Sequence, residues 1–330
     1  MRCCVQSAQF ISTGMAVPER VVTNFDLEKI VDTSDQWIFE RTGMKERRIG
    51  GEGVAASDLA LQAARQALDA AGLAPTDLDA ILVATISGDY IWPSTACVLQ
   101  NRLGANNVMA VDLSAACSGF IYGLSVAQAY IASGRYKTIL LVGVDMLTKT
   151  VDWSDRTSCV LFGDGAGAVI LQARDAGKGV IDTVLGADGS AADLLCIPGG
   201  GSRMPMTEEV VQKGKHFLHI EGRKIYKHAV KAMAQATLDV LARAGKTLQD
   251  VNLIVPHQAN VRIIEGVAQR LELSMDCFYL NIHKYANTSA ATIPIAIHEA
   301  RQEGRIKDGD LILVVAFGGG LTWGAGLIQF

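Results

Sequence analysis

The sequence predicts an α/β protein whose sheets are buried on both faces. Helical patterns alternate with short apolar runs along the 330 residues, and glycine is abundant at 33 while proline is scarce at 7. The runs 80–85, 138–142, 252–256 and 310–315 contain few polar residues, which is typical of strands covered on both faces. Strands that alternate with helices predict the α/β class.

Matching segments at a constant spacing indicate an internal repeat. An Ala-Gly pair ends a helical pattern at 71–72 and recurs at 244–245, an offset of 173 residues. The strand pattern at 139–142 recurs at 312–315 with the same offset. Ordered matches of this kind favour a duplication over the chance similarity that alternating α/β sequences share.

The repeat predicts an N-terminal half over residues 1–174 and a C-terminal half over residues 175–330. The Gly-Arg pair at 134–135 also recurs, 170 residues later, at 304–305. With that offset, Asn287 falls at the position equivalent to Cys117. Two equivalent helix starts then face one pocket across a pseudo-twofold axis.

Composition excludes several classes of function. The formal net charge of −4 gives no general attraction to nucleic acid or to an anionic membrane. No apolar run approaches the roughly 18 residues of a membrane span, and the first ten residues lack a signal-peptide pattern. The seven cysteines include the neighbours Cys3 and Cys4 but no CxxC pair, so neither a metal site nor a disulfide scaffold is predicted. We expect a cytoplasmic protein with reduced thiols.

Cys117 lies where an apolar run ends and a helical pattern over 119–133 begins. A thiol at a helix N-terminus meets the positive end of the helix dipole and unpaired N–H groups, so we expect a lowered pKa and a nucleophilic thiolate. The alternative is ordinary, because an isolated cysteine is more often a small buried apolar residue.

A histidine and an asparagine offer partners for this thiol. His257 follows the apolar run 253–255 at a predicted strand end, where α/β sheets place ligand-binding groups. Asn287 precedes a run of small residues, and its alternative role is that of a helix N-cap. His298 is expected on a solvated helix face, so it is not a candidate.

The glycine-rich segments do not match a nucleotide-binding fingerprint. Neither 162–167 nor 317–324 fits G-x-G-x-x-G, and the chain has no P-loop. These glycines instead permit close backbone packing, and those at 318–320 place an N–H toward a reacting oxygen.

Basic residues are concentrated at 40–48. A solvated, partly self-paired surface is the default interpretation of this cluster. Alternatively, Arg41, Arg156 and Arg262 grip phosphate groups.

Eight motifs together give the chain a close resemblance to the β-ketoacyl-[acyl-carrier-protein] synthase III family, condensing enzymes of the thiolase-like superfamily. The resemblance covers essentially the whole chain. The motifs are Thr-Asn at 23–24, VDTSDQWI at 31–38, Arg-Thr-Gly at 41–43, AACSG at 115–119, FGDGAG at 162–167, PHQANVR at 256–262, NTSAA at 287–291 and FGGGLTWG at 317–324. The resemblance implies a thiolase-like five-layer αβαβα fold of two duplicated halves, a homodimer and no cofactor, since the coenzyme A thioester is a substrate.

The resemblance also assigns roles to residues. It implies a catalytic set of Cys117, His257 and Asn287, with an oxyanion hole formed by the N–H groups of Cys117 and Gly319. The coenzyme A positions are Thr33, Trp37, Arg41, Arg156, Asn260 and Arg262. The acyl-pocket positions are Trp92 and Phe317, and the carrier-protein positions are Lys227 and Arg262.

The implied chemistry has two stages. The Cys117 thiolate attacks an acyl-CoA and coenzyme A leaves. Malonyl-acyl carrier protein then enters, and His257 and Asn287 donate hydrogen bonds to its thioester carbonyl as decarboxylation forms an enolate. The enolate attacks the acyl-cysteine and gives 3-oxoacyl-acyl carrier protein, which initiates fatty acid synthesis.

Four residues depart from the family pattern: Ala286 replaces a glycine, Arg223 an asparagine, Leu321 a phenylalanine and Trp92 a phenylalanine. We expect Trp92 to reach the partner subunit's acyl pocket and to favour short starters such as acetyl-CoA. The alternative function is a specialised condensing enzyme of secondary metabolism with a different starter or acceptor.

Other relatives fit less well. A degradative thiolase needs a second cysteine in the C-terminal glycine-rich loop, and residues 316–320 contain none. Elongating condensing enzymes use two histidines where this chain has His257 and Asn287. An inactive CoA- or acyl-binding scaffold would not need the intact set of three.

Overall fold

The structure is a computed structural model that describes residues 6–175 and 177–330. Cys3 and Cys4 lie outside these residues. The described strands are β1 (Gln6–Ala16), β2 (Val21–Thr23), β3 (Glu46–Arg48), β4 (Ala80–Ala84), β5 (Met109–Leu113), β6 (Thr138–Met146), β7 (Asp164–Asp175), β8 (Gly179–Ala187), β9 (Leu195–Cys196), β10 (His219–Ile220), β11 (Leu253–Pro256), β12 (Leu311–Gly318) and β13 (Thr322–Gln329).

The described α-helices are α1 (Asn24–Leu27), α2 (Asp35–Thr42), α3 (Ala56–Ala71), α4 (Thr95–Leu103), α5 (Gly119–Ala132), α6 (Glu208–Gln212), α7 (Gly222–Arg243), α8 (Val261–Arg270), α9 (Ile282–Tyr285) and α10 (Thr292–Gln302). Short 3₁₀ turns at 116–118 and 289–291 lead directly into α5 and α10. None of the helices described here is long and apolar enough to cross a membrane.

Two mixed sheets repeat one topology. The first has the order β1-β7-β6-β4-β5, with antiparallel pairs up to β6 and parallel pairs beyond it. The second has the order β8-β13-β12-β11 with the same sequence of pairings. Beside β11, a parallel bridge from Ile254 to Phe278 occupies the place of β5. The predicted duplication is present in the topology, while the exact boundary at residue 174 stays a prediction.

The helices form three layers around these sheets. Ile81 of β4 packs with α3 and α4 on the outer face of the first sheet. Its neighbour Leu82 points to the opposite face and packs with α5 and α10 between the sheets. Leu313 of β12 packs with α7 and α8 on the outer face of the second sheet. The order is helix, sheet, helix, sheet, helix, so the five-layer αβαβα expectation is confirmed.

The structure corrects one detail of the predicted repeat. Ala116 and Ser289 both begin a 3₁₀ turn with a positive φ, of 46° and 53°. They lie 173 residues apart, so the position equivalent to Cys117 is Ala290 and not Asn287. The offset changes to 170 only after these turns, because α10 has 11 residues where α5 has 14.

Close backbone packing brings the two turns together at the centre of the molecule. A side chain at Gly143 of β6 would place its Cβ 2.4 Å from the Ala290 carbonyl oxygen. Only glycine permits this approach, since real Cβ contacts are longer. The turn before α10 therefore rests directly on the first sheet, beside the turn that holds Cys117.

Candidate active site

One cavity of about 610 Å³ brings together the side chains that the sequence singled out. Its lining includes Cys117, His257, Asn287, Phe317 and Gly319. His257 and Gly319 follow directly after β11 and β12, and Phe317 lies near the end of β12. Cys117 lies in the turn before α5, and Asn287 lies two residues before the turn that leads into α10. The arrangement follows from the duplication, because both central turns and the end of β12 converge at the same place.

The Cys117 thiol is buried and protonated at neutral pH. Burial raises its pKa to about 12; the nearby Ser289 hydroxyl opposes this rise and the Asp145 carboxylate adds to it. Of the two neighbours, Ser289 has the larger effect on the thiol pKa, but neither outweighs burial. The expectation of a lowered thiol pKa is therefore wrong for the unliganded protein, because loss of hydration outweighs the helix N-terminus.

Asp145 is a buried residue that sequence reasoning missed. Its Oδ1 accepts hydrogen bonds from the Ser87 hydroxyl at 2.6 Å, the Thr85 hydroxyl at 3.0 Å and the Ile86 N–H at 2.9 Å. Its Oδ2 accepts from the Ala290 N–H at 3.4 Å. Burial raises its pKa. The carboxylate ties the loop after β4 to the turn before α10, and a lone Asp in an apolar strand carries no sequence signal for this role.

Asn287 is held so that its amide donors remain available. Its N–H donates to the Leu161 carbonyl and its carbonyl accepts from the Gly163 N–H, both at 3.0 Å. The side-chain Oδ1 accepts from the Ser289 N–H at 2.8 Å. Because the oxygen is occupied, the NH₂ group is left for the cavity. Asn287 is not the N-cap of α10, whose N-cap is Ala291.

His257 is buried directly after β11. Its N–H donates to the Val315 carbonyl at 2.8 Å, which fixes the backbone. Burial lowers the pKa of the imidazole to about 3, so the ring is neutral at neutral pH. Its Nδ1 lies 2.7 Å from the Thr292 Oγ1 at the start of α10. Thr292 was not among the candidates, because a Thr after a small-residue run resembles a simple helix start.

The glycine-rich turn between β12 and β13 packs against the Cys117 backbone. A Cβ at Gly318 would lie 2.7 Å from the Cys117 nitrogen. The Thr322 hydroxyl donates to the Ala115 carbonyl at 3.0 Å and accepts from the Ser118 hydroxyl at 2.8 Å. Gly319 lines the cavity one residue further on. The backbone at Cys117 and the glycine-rich turn therefore lie side by side at the wall of the cavity.

Three of the six coenzyme A positions, Arg41, Asn260 and Arg262, line the cavity. The guanidinium groups of Arg41 and Arg156 lie 4.6 Å and 5.3 Å from the centre of the Trp37 ring. This places cationic groups and an aromatic face next to the cavity, a combination suited to a phosphorylated aromatic ligand.

The remaining coenzyme A position is Thr33. Its hydroxyl is buried and has no hydrogen-bond partner among the described residues. Unpaired buried hydroxyls are uncommon because they lose their hydration without replacement. The Thr33 hydroxyl is therefore a hydrogen-bonding group that the described residues leave unused beside this surface.

Arg47 corrects the expectation of a solvated basic cluster. Its side chain is fully buried. It donates to the Val22 carbonyl at 3.2 Å, the Asn24 Oδ1 at 2.9 Å and the Val160 carbonyl at 3.0 Å, and burial lowers its pKa to about 10. Arg47 therefore holds Val160 in place, and the carbonyl of the next residue, Leu161, accepts the hydrogen bond from the Asn287 N–H.

The other predicted positions lie outside the centre of the cavity. Trp92 does not line its own chain's cavity and is 82% exposed, beside Ile91 at 90%. Lys227 is exposed on α7 and Arg262 on α8. His298 is buried, 2.9 Å from the Thr13 hydroxyl, so its expected solvated position is wrong.

Two of the departures from the family pattern are buried. The Ala286 methyl packs beside Phe162 with a backbone φ of 55° and ψ of −151°, a region that glycine populates most easily. Leu321 is buried against the outer helical layer of the second sheet. Arg223 is exposed at the start of α7.

The sequence matches two profiles of one family. The profile described as 3-oxoacyl-[acyl-carrier-protein (ACP)] synthase III matches residues 111–189, and the profile of its C-terminal part matches residues 241–330. Two curated relatives are named beta-ketoacyl-[acyl-carrier-protein] synthase III. The protein from Caldanaerobacter subterraneus subsp. tengcongensis is 51% identical over 98% of both chains, and that from Roseiflexus sp. (strain RS-1) is 50% identical over 96% of both.

Solved structures agree with the sequence matches. The crystal structure of 3-oxoacyl-[acyl-carrier-protein] synthase III from Aquifex aeolicus VF5 superposes with a TM-score of 0.90 at 47% identity, covering 98% of this chain and 100% of that chain. The Thermus thermophilus enzyme superposes with a TM-score of 0.90 at 42% identity, covering 98% and 99%.

Proposed function

The chain belongs to the β-ketoacyl-[acyl-carrier-protein] synthase III family, and on that premise we propose that Cys117, His257 and Asn287 perform its reaction. The protein is an acyltransferase that condenses an acyl-CoA starter with malonyl-acyl carrier protein and thereby initiates fatty acid synthesis. The observation that carries the residue assignment is their convergence in one cavity beside a backbone N–H and a glycine-rich turn.

The first stage transfers the acyl group to Cys117. The sulfur attacks the thioester carbon, and the new oxyanion is stabilised by the N–H groups of Cys117 and Gly319. A preorganised donor of this kind typically contributes about 10²–10³-fold to the rate. Coenzyme A leaves as the tetrahedral intermediate collapses, and the acyl group remains on the sulfur.

The second stage forms the carbon–carbon bond. Asn287 suits the role of donor to the malonyl thioester carbonyl, because its oxygen is already occupied by the Ser289 N–H. His257 supplies the second donor once its Nε2 carries a proton. Loss of CO₂ leaves an enolate, whose carbon attacks the acyl-cysteine and expels the Cys117 sulfur. These steps need only side chains and substrates, so we propose no cofactor and no metal.

Substrate binding follows from the surface around the cavity. Thr33, Trp37, Arg41, Arg156, Asn260 and Arg262 form the proposed coenzyme A site. Adenine enters between the Trp37 ring and the Arg156 guanidinium, which lie 5.3 Å apart without it. The two groups must separate to about 7 Å to contact a ring on both faces. Exposed Lys227 and Arg262 are suited to an acidic carrier protein.

The exposed loop that carries Ile91 and Trp92 supports a homodimer. A Trp and an Ile that are 82% and 90% exposed are unfavourable in water. We propose that a second copy covers them in the cytoplasm, that Trp92 closes the partner subunit's acyl pocket, and that Phe317 lines the pocket from within. A short starter such as acetyl-CoA is then preferred, and neither a membrane nor a nucleic acid is a partner.

The experiment separates the two stages. Asn287→Ala is incubated with acetyl-CoA and its intact mass recorded; malonyl-acyl carrier protein is then added. We expect the acetyl adduct to form at nearly the wild-type rate and the product to form at least about 10²-fold more slowly. Cys117→Ser is expected to give no adduct, and Cys97→Ser, which changes an exposed thiol, to behave as wild type.

Two results would count against the proposal. Normal condensation by Asn287→Ala removes that residue from the mechanism. A wild-type adduct that malonyl-acyl carrier protein never discharges favours the specialised enzyme with a different acceptor.

A further inference from the structure

The Thr292 hydroxyl has a single proton but lies within hydrogen-bond distance of two groups. Its Oγ1 lies 2.7 Å from the Nδ1 of His257 and 3.0 Å from the carbonyl oxygen of Ser289. The histidine, the threonine and the carbonyl are all buried. Water is therefore not available to supply a proton between two acceptor atoms that face each other. The group on which the hydroxyl proton lies therefore affects the energy of the site.

Only one arrangement makes both contacts hydrogen bonds. The Ser289 carbonyl cannot donate, so the 3.0 Å contact is a bond only if the Thr292 hydroxyl donates to it. Having used its one proton, the hydroxyl must accept from His257, which then carries its proton on Nδ1. The reverse arrangement leaves the Thr292 and Ser289 oxygens facing each other without a proton, which is repulsive in a buried site.

We propose that Thr292 is a positioning residue that holds neutral His257 with its proton on Nδ1. The unprotonated Nε2 of His257 is then the base that takes the proton of Cys117, and it keeps that proton through both stages. This inference rests on the proposed function. Asn287 cannot serve as the base, because its oxygen is bonded to the Ser289 N–H and its NH₂ can only donate.

The proton balance closes over the cycle. The Sγ proton moves to Nε2 and the thiolate attacks the acyl-CoA; coenzyme A leaves as a thiolate and takes a proton from solvent. The imidazolium then has an N–H at both nitrogens, one donating to Thr292 and one to the malonyl carbonyl. After CO₂ leaves and the carbon–carbon bond forms, the expelled Cys117 thiolate recovers its proton from Nε2. One solvent proton is consumed, as coenzyme A requires.

The environment of the thiol explains why such a base is needed. Burial raises the pKa of Cys117, so very little thiolate exists before substrate enters. Burial also lowers the pKa of His257, and the separated ions are therefore unfavourable at rest. Transfer becomes favourable only as the developing negative charge moves onto the thioester oxygen, where two N–H groups face it.

The direct test is the ¹⁵N spectrum of histidine-labelled protein without substrate. His257→Gln identifies the signals of His257 among the six histidines. We expect a protonated Nδ1 and an unprotonated Nε2. The opposite pattern in the wild-type protein overturns the proposal, and this measurement does not depend on any catalytic assignment.

The kinetic test compares three variants. Thr292→Val keeps the shape but removes the acceptor, so the rate of Cys117 acetylation should fall about 10²-fold with little change in the KM for acetyl-CoA. Thr292→Ser restores the hydroxyl and most of the rate. Thr237→Val is the matched control, because that helical Thr is equally buried and its hydroxyl has no partner among the described residues.

The outcomes remain distinguishable from failure of the proposed function. Wild-type protein that forms no acetyl adduct contradicts the proposed function itself. Wild-type acetylation together with unchanged acetylation in folded Thr292→Val contradicts the role of Thr292 alone. If Thr292→Val does not fold, the ¹⁵N spectrum of the wild-type protein and the acetylation rate of Thr292→Ser still test the role of Thr292.

Discussion

Gly318→Ala tests the oxyanion hole through a single methyl group. The new Cβ would lie 2.7 Å from the Cys117 nitrogen and 3.1 Å from the Ser118 nitrogen. Gly318 is not among the glycines with a positive φ, so alanine meets no backbone strain there. The whole effect of the substitution is therefore steric, and it acts on the backbone that carries the proposed oxyanion donors.

The size of the effect follows from the contact. A Cβ and a backbone nitrogen normally stay at least about 3.4 Å apart, so the two segments must separate by about 0.7 Å. A donor that should sit about 2.9 Å from the oxyanion then lies beyond hydrogen-bond range. We expect a loss of about 10²–10³-fold in acetylation rate, with a loss of about 1–3 kcal/mol in stability from overpacking.

The assay is single-turnover acetylation by acetyl-CoA followed by intact mass, with the thermal midpoint measured in parallel. Gly51→Ala is the control, because a Cβ there meets nothing within 4 Å. A folded Gly318→Ala that acetylates within about threefold of wild type would show that this backbone contact does not position an oxyanion donor.

Three further predictions concern pH, stability and specificity. Because the pKa of Cys117 is raised to about 12, its alkylation by iodoacetamide should rise about tenfold per pH unit from pH 7 to 9; a plateau in that range contradicts the raised pKa. The Gln258 side chain donates to the Pro256 and Tyr279 carbonyls and accepts from two backbone N–H groups. Gln258→Leu should therefore lower the free energy of unfolding, measured in urea, by about 4 kcal/mol; an unchanged urea midpoint would show that these bonds do not stabilise the fold. Trp92→Ala should raise octanoyl-CoA acylation relative to acetyl-CoA at least about tenfold; equal ratios in both proteins would remove Trp92 from the pocket.

The sequence was informative wherever one physical pattern dominated. Apolar strands such as 138–142 had to be buried on both faces, so the α/β class and the repeat could be predicted. The motifs around Cys117, His257 and Asn287 were specific enough to predict that these three converge. The predicted equivalence of Cys117 and Asn287 was wrong because α5 is three residues longer than α10. The sequence alone does not show whether this difference lies before or after the turn that precedes each helix; the φ angles of the two turns do.

Properties that depend on distant contacts could not be predicted. The helix N-terminus suggested a low thiol pKa, but the burial that dominates comes from both halves of the chain. Arg47 looked solvated among charged neighbours, yet its acceptors lie up to 113 residues away. Thr292 and Asp145 belong to ordinary helix and strand patterns, and only the assembled fold shows that they touch the site.

The decisive test of covalent catalysis by Cys117 is intact-mass analysis of the wild-type protein after incubation with acetyl-CoA, followed by malonyl-acyl carrier protein. We expect one acetyl group per chain, located on the peptide that contains Cys117, and we expect it to disappear as 3-oxoacyl-acyl carrier protein forms. An acetyl group on another residue, or product formation by Cys117→Ser at the wild-type rate, would contradict it.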